Sequence, residues 1–99
     1  MDIIDLPEPL EFEWDEANKI KIRLRHNITT IEAEQAFFSN YSIFSDDKHS
    51  AREKRYQIVG PNNAGQILFI VFTLRNNKIR IISARLASKK ERNSYGKKI

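Results

Sequence analysis

The sequence predicts an α+β fold: a small antiparallel sheet, two helices ahead of most of it, and a short helix at the C-terminal end. Three observations predict this. Apolar stretches between Arg55 and Arg85 are separated by turn-forming residues. Thr29-x-x-Glu32 and Ser88-x-x-Glu91 both read as capping boxes, which open helices. Leu10-Glu11-Phe12-Glu13-Trp14 alternates apolar and acidic side chains, the period of a half-buried strand.

The elements follow in order. Pro7 and Pro9 oppose regular structure before Leu10, so residues 1–9 are expected to be an irregular acidic segment of a single 99-residue domain. Asp15 fits a helix N-cap, with Glu16 in the first turn where the helix dipole favours an acid. The helix is expected to reach about Arg25, with Ala17, Ile20 and Leu24 on its inner face. Lys19, Arg23 and His26 share another face, and Lys21 and Arg25 form a second basic pair. Asn27 suits a left-handed closing residue. The second helix is expected to run to about Ser39, with Ile31, Ala33, Ala36, Phe37 and Phe38. Residues 40–50 have little periodicity; the Asp46-Asp47-Lys48-His49-Ser50 stretch is expected to be exposed and the most mobile.

Strands are predicted over Arg55–Gly60, Gln66–Leu74 and Lys78–Arg85, with Asn76-Asn77 able to adopt the positive φ of a tight hairpin. The middle strand is apolar on both faces, which requires cover on each side and leaves surface for a protein partner. The last helix carries Lys89, Lys90, Arg92 and Tyr95 with hardly any apolar stripe, so packing by itself holds it weakly.

Charge is divided unevenly. The formal net charge is +4, yet residues 1–16 hold seven acids and no base. The remainder is strongly basic, which favours an anionic partner such as nucleic acid, although a solvated surface gives the same composition. With no cysteine, disulfides, thiolate metal sites and a cysteine nucleophile are excluded. The longest apolar run, Ile67–Phe72, is far below the roughly 20 residues needed to span a bilayer. The opening Met1-Asp2-Ile3-Ile4-Asp5 has no basic region ahead of an apolar one, so no secretory signal is expected; the expected location is cytoplasmic.

There is no glycine-rich dinucleotide fingerprint, phosphate-binding lysine loop, His-Glu-x-x-His or Gly-x-Ser-x-Gly. Asp46, Asp47 and His49 could gather an ion, but acidic loop residues usually face water; no metal and no cofactor is expected. The remaining residue types suit metal-free RNA cleavage. A base takes the 2′-OH proton, cations stabilise the phosphorane, and an acid protonates the leaving 5′-oxygen.

Strict alternation puts Ile81, Ser83 and Arg85 on one strand face and Arg80, Ile82 and Ala84 on the other, unless the strand bulges between them. An Arg85 fork could hold a scissile phosphate or pair with a carboxylate. His26 could carry a proton or cap its helix. Trp14 could stack on a base or belong to the core; Tyr95 could stack or anchor the last helix; Arg80 could contact phosphate or lie solvated.

Phe12-Glu13-Trp14-Asp15-Glu16-Ala17, the Arg25-His26 helix end and Ile31-Glu32-Ala33 resemble the opening of BrnT-type toxins. Residues 79–92, from Ile79-Arg80-Ile81-Ile82-Ser83-Ala84-Arg85 to Glu91-Arg92, followed by Tyr95, resemble that family's C-terminal signature, and Val71-Phe72-Thr73 also fits. The likeness runs from about Leu10 to Tyr95 with order and spacing preserved. It implies a ribonuclease toxin of a bacterial type II toxin–antitoxin system with a RelE-like fold, inhibiting translation.

It also implies as partners an RNA substrate and a cognate antitoxin with a DNA-binding domain; operator DNA would be met only through the antitoxin complex. The family's opening typically has Lys, Asn and Gly where this chain has Asn18, Ile22 and Asn27, while Lys19 stands beside the first. The resemblance carries over His26 and Arg85, with Lys19 one position from the family's lysine. Together with the reading of the residues, the catalytic candidates are His26, Arg85, Lys19 and Arg80, and the candidates for binding RNA are Trp14, Arg23, Arg25 and Tyr95. The alternatives from other classes are a weakened homologue that binds its antitoxin, a nucleic-acid-binding module, and an adaptor for an acidic partner.

Overall fold

A computed structural model describes residues 5–49 and 52–98. Residues 1–4 of the expected irregular segment, and Ser50 of the expected exposed loop, lie outside them. The elements are β1 (Phe12–Glu13), α1 (Glu16–His26), α2 (Thr30–Gln35) continued by a 3₁₀ turn (Ala36–Phe38), β2 (Ser42–Ser45), a 3₁₀ turn (Asp47–His49), β3 (Arg55–Pro61), β4 (Ile67–Arg75), β5 (Lys78–Leu86) and α3 (Lys89–Lys98).

The local signals act as their chemistry dictates. The Asp15 side chain accepts from the Asn18 amide, and both halves of the Thr29/Glu32 capping box are made. Asn27 closes α1 at φ 55°, its N–H donating to the Arg23 carbonyl. Asn76 and Asn77 supply the positive φ of the β4–β5 hairpin.

The strands form one five-stranded sheet in the order β1-β5-β4-β3-β2. It is mixed, which corrects the expectation of an antiparallel sheet. β2 through β5 pair antiparallel, but β1 lies parallel to β5, with Phe12 opposite Ile79 and Glu13 opposite Arg80. A parallel pair needs a long crossover, and here almost the whole intervening chain provides it. β2 is also an addition: part of the aperiodic 40–50 stretch pairs as an edge strand against β3, Ile43 opposite Ile58.

All three helical segments between β1 and β2 cover one face of the sheet. Ile22, Ile28, Ala33, Ala36 and Phe37 pack there against Ile58, Leu68, Ile70, Phe72, Ile79, Ile81 and Ala84. Phe37 stands edge-on between Phe12 and Phe72, with ring centroids 5.3 and 5.1 Å away. Gly60 lies where the 3₁₀ turn crosses β3: a Cβ there would meet the Ser39 hydroxyl at 2.9 Å and the Tyr41 Cβ at 3.0 Å.

α1 is turned otherwise than expected. Ile22 is its buried residue, while Ala17, Ile20 and Leu24 face outward. α2 is shorter than expected, tightening into the 3₁₀ turn after Gln35 so that Ala36 and Phe37 go inward and Phe38 out.

Candidate active site

The sheet face away from α1 and α2 is set by one irregularity. Val71 pairs with Ser83 and Phe72 with Ile81, so Ile82 has no residue opposite it. This bulge adds one residue to β5 and reverses its alternation. Arg80, Ser83 and Arg85 stand opposite Thr73, Val71 and Phe69, which share a face of β4. The bulge therefore puts both arginines on one face. Strict alternation had divided them and had placed Ile81 beside Arg85; Ile81 instead joins the core with Ile79 and Ala84.

Both arginines are held by carboxylates. Arg80 donates to Glu13 at 2.6 Å and to Asp15 at 3.3 Å, tying β1 and the cap of α1 to β5. Arg85 donates through both terminal nitrogens to the two carboxylate oxygens of Glu91, at 2.8 and 2.9 Å, and lies 4.3 Å above the centre of the Phe69 ring. It also donates to the Leu86 carbonyl at 3.2 Å. The hydrogen bonds from Arg85 hold the Glu91 carboxyl below the usual carboxylate range, with burial opposing and the Ser88 amide assisting. The same pairing raises the Arg85 pKa against the effect of burial.

Glu91 thereby does two jobs. It completes the Ser88 capping box, accepting from the Ser88 amide at 2.8 Å, and clamps α3 to β5. α3 lies across the second sheet face, where Ser88, Lys90, Glu91 and Ser94 border a hollow of about 400 Å³ with Phe44, Gln57, Val59 and Phe69. The face of β4 expected to remain for a partner is half-covered in this way. Tyr95, expected either to stack or to anchor, donates its hydroxyl to the Asn40 carbonyl and anchors the far end.

The Glu91 pairing makes α3 acid-sensitive. A carboxyl whose native pKa is depressed stabilises the fold above its ordinary value, about 4.3, and that stabilisation is lost as pH falls through the lower native value. For this partly exposed pair it is roughly 1 kcal/mol. Amide exchange, corrected for intrinsic rates, is expected to accelerate in α3 before β4 as pH falls below about 4. Loosening of β4 at the same pH as α3 contradicts it.

The other candidates lie elsewhere. Trp14 donates its indole N–H to Glu34 at 2.8 Å and packs at the margin of the core, tying β1 to α2. Lys19 is half-buried and pairs with Glu16 at 3.1 Å. Arg23 donates to the Asn27 side chain, and Arg25 is exposed. His26, the last residue of α1, is exposed on a hollow of about 460 Å³ and mixed lining, shared with Glu32, Gln66 and Leu86. The structure thus brings Arg80, Ser83 and Arg85 together and leaves His26 and Lys19 on the helical layer.

In the acidic loop, Asp47 accepts from Ser45 and Lys54, and among the described residues no group of three His, Asp or Glu side chains could hold a metal ion. Sequence reasoning missed Glu91 as the partner of Arg85 and Phe69 as the ring beneath it. The Ser88-x-x-Glu91 box was the available signal for Glu91, since its carboxylate had to lie near the end of β5.

The class of protein these features define is a small α+β chain with an arginine-bearing sheet face under a terminal helix. The description "Ribonuclease toxin, BrnT, of type II toxin-antitoxin system" matches residues 14–91, and the chain belongs to that family. It is thus a ribonuclease toxin at family level, and this class of system implies a cognate antitoxin.

The fold is similar to the 1.1 Å crystal structure of the Brucella abortus ribonuclease toxin BrnT. The TM-score is 0.62 at 19% identity, covering 81% of this chain and 99% of that one. No curated protein matches the sequence significantly. Among the described residues no helix is long and apolar enough to cross a membrane.

Proposed function

We propose that this chain cleaves RNA without a metal, by attack of the 2′-OH on the adjacent phosphate, at the C-terminal end of β5. The observation that carries the placement is the Ile82 bulge, which aligns Arg80, Ser83 and Arg85 on one face. A carboxylate and a phosphate present the same pair of oxygens to a guanidinium fork, so Glu91 marks where a scissile phosphate would sit on Arg85. Substrate then takes the place of Glu91, and Phe69 keeps the fork oriented from below.

His26 is connected to the same strand end through Leu86, which borders its hollow and whose carbonyl accepts from Arg85. Among the described residues β1 pairs with β5 at Ile79 and Arg80 alone, and no paired strand stands between the two faces along that edge beyond Arg80. In the reaction His26 removes the 2′-OH proton, the 2′-oxygen bonds to phosphorus, and the bond to the 5′-oxygen breaks as that oxygen takes a proton from water, to which His26 then returns the proton it accepted. Arg85 stabilises the charge that develops on the phosphorane, with Arg80 as the second cation on that face and Lys19 as a more distant candidate. Arg23, Arg25 and the basic side of α3 would track the RNA backbone, while Trp14 and Tyr95 act as anchors.

The wider proposal is a cytoplasmic toxin of RelE-like kinship that inhibits translation and is neutralised by a DNA-binding antitoxin, which brings the complex to operator DNA. A second reading, a weakened homologue, is favoured by the pairing of Lys19, Arg80 and Arg85 with carboxylates and by Asn18 at the family's lysine position. Purified wild type, His26→Ala and Arg85→Ala compared on single-stranded RNA separate the two. Cleavage by wild type that falls in both variants supports the site; cleavage unchanged in both, with the fold intact, removes it. No cleavage by folded wild type supports the weakened homologue.

A further inference from the structure

We propose that the groove between α1 and the start of α2 is the seat for an amphipathic helix of the cognate antitoxin, with acidic residues flanking its apolar stripe. This rests on the toxin reading above.

The groove is formed by a helix that turns a regular apolar stripe toward water. Ala17, Ile20 and Leu24 are spaced three and four apart, the spacing of a buried helix face, yet Ile20 is 56% and Leu24 80% exposed. Ile22 alone on that helix packs inward. Beside the stripe, Ile28, Thr29 and Thr30 complete a hollow of about 320 Å³, and Ile31, one residue further, is 67% exposed. An apolar surface of this kind on a small domain is retained for a binding partner.

Charge selects the occupant. α1 carries Lys19, Lys21, Arg23 and Arg25 against a single acid, Glu16. Lys19, paired with Glu16, and Arg23, exposed and donating to the neutral Asn27 side chain, border the groove directly. A second copy of the chain would set these cations against their own counterparts, which opposes self-association. A lipid surface would meet the charge but would leave the hollow between α1 and the turn into α2 unfilled. An amphipathic helix with Leu- or Ile-type anchors and flanking Asp or Glu satisfies both.

Titration of wild type and the Ile20→Asp/Leu24→Asp variant with purified antitoxin tests this. Both side chains are more than half exposed, so the variant is expected to stay folded, with the far-ultraviolet circular dichroism of wild type. Its antitoxin affinity is expected to fall on the order of 30-fold, the effect of losing central apolar anchors. Lys21→Glu, which leaves the stripe intact, is expected to weaken binding several-fold at low salt and little at high salt.

Wild-type affinity in the double variant overturns the docking site while leaving the toxin reading intact. Absence of binding by wild type overturns the partner reading and this inference with it. Wild type that dimerises through the stripe, or that binds anionic phosphatidylserine vesicles in a way the double variant abolishes, assigns the groove to a different occupant and overturns the proposal.

Discussion

Arg85→Ala is expected to lower the rate of RNA cleavage by on the order of 10²-fold, with a much smaller change in RNA affinity. Arg85 offers two parallel N–H donors from a position fixed by Phe69 below and by the β5 backbone. Donors aimed at developing charge act mainly in the transition state, and losing one such group typically costs about 10²- to 10³-fold. Affinity is spread over the other bases, so KM changes little. The substitution also deprives Glu91 of its partner and weakens the clamp on α3. Arg85→Lys separates the two effects: it retains a charge for Glu91 but not the planar fork, so α3 should stay docked while kcat remains low. Full activity in Arg85→Lys would mean that the fork geometry is unimportant.

Phe37→Ala is expected to destabilise the fold by about 3–5 kcal/mol, the range for emptying a well-packed aromatic site. Phe37 is 2% exposed and lies between Phe12 of β1 and Phe72 of the central strand. Its loss opens a cavity where the helical layer meets the sheet, and sheet residues held in strands cannot collapse far to fill it. In a domain of this size the thermal midpoint should fall by roughly 15 °C or more. Phe38 is the internal control. It is 69% exposed, and Phe38→Ala should cost less than about 1 kcal/mol. Urea unfolding followed by far-ultraviolet circular dichroism checks both; equal losses would contradict the assignment of Phe37 to the core and Phe38 to the surface.

What was legible in the sequence was local. Asp15, Thr29, Asn27 and the Asn76-Asn77 turn act within a few residues of themselves, so their chemistry fixes helix ends and a hairpin without reference to the rest of the chain. What was not legible depends on distant partners. The parallel pairing of β1 joins residues 67 apart, and nothing in Phe12-Glu13 marks its direction.

α1 carries apolar residues on two sides, Ile22 on one and Ile20 with Leu24 on the other. Periodicity finds the stripes but cannot choose which one the sheet will take. β2 is a short edge strand whose Ser-Ile-Phe-Ser sequence offers too few alternations to register.

The site shows the same division. Arg80 and Arg85 could be singled out by residue type and place, but their shared face depends on a bulge at Ile82. Because Ile81 and Ile82 are both apolar, the pattern reads smoothly in either register. The two carboxylates on Arg80 come from the far end of the chain, so its pairing could not be read locally.

The chemistry of the RNA ends tests the central claim most directly. Purified protein and single-stranded RNA, incubated with excess chelator, should yield a 2′,3′-cyclic phosphate on one fragment and a 5′-OH on the other. A 3′-OH with a 5′-phosphate, or cleavage abolished by the chelator and restored by a divalent ion, would contradict metal-free attack by the 2′-OH.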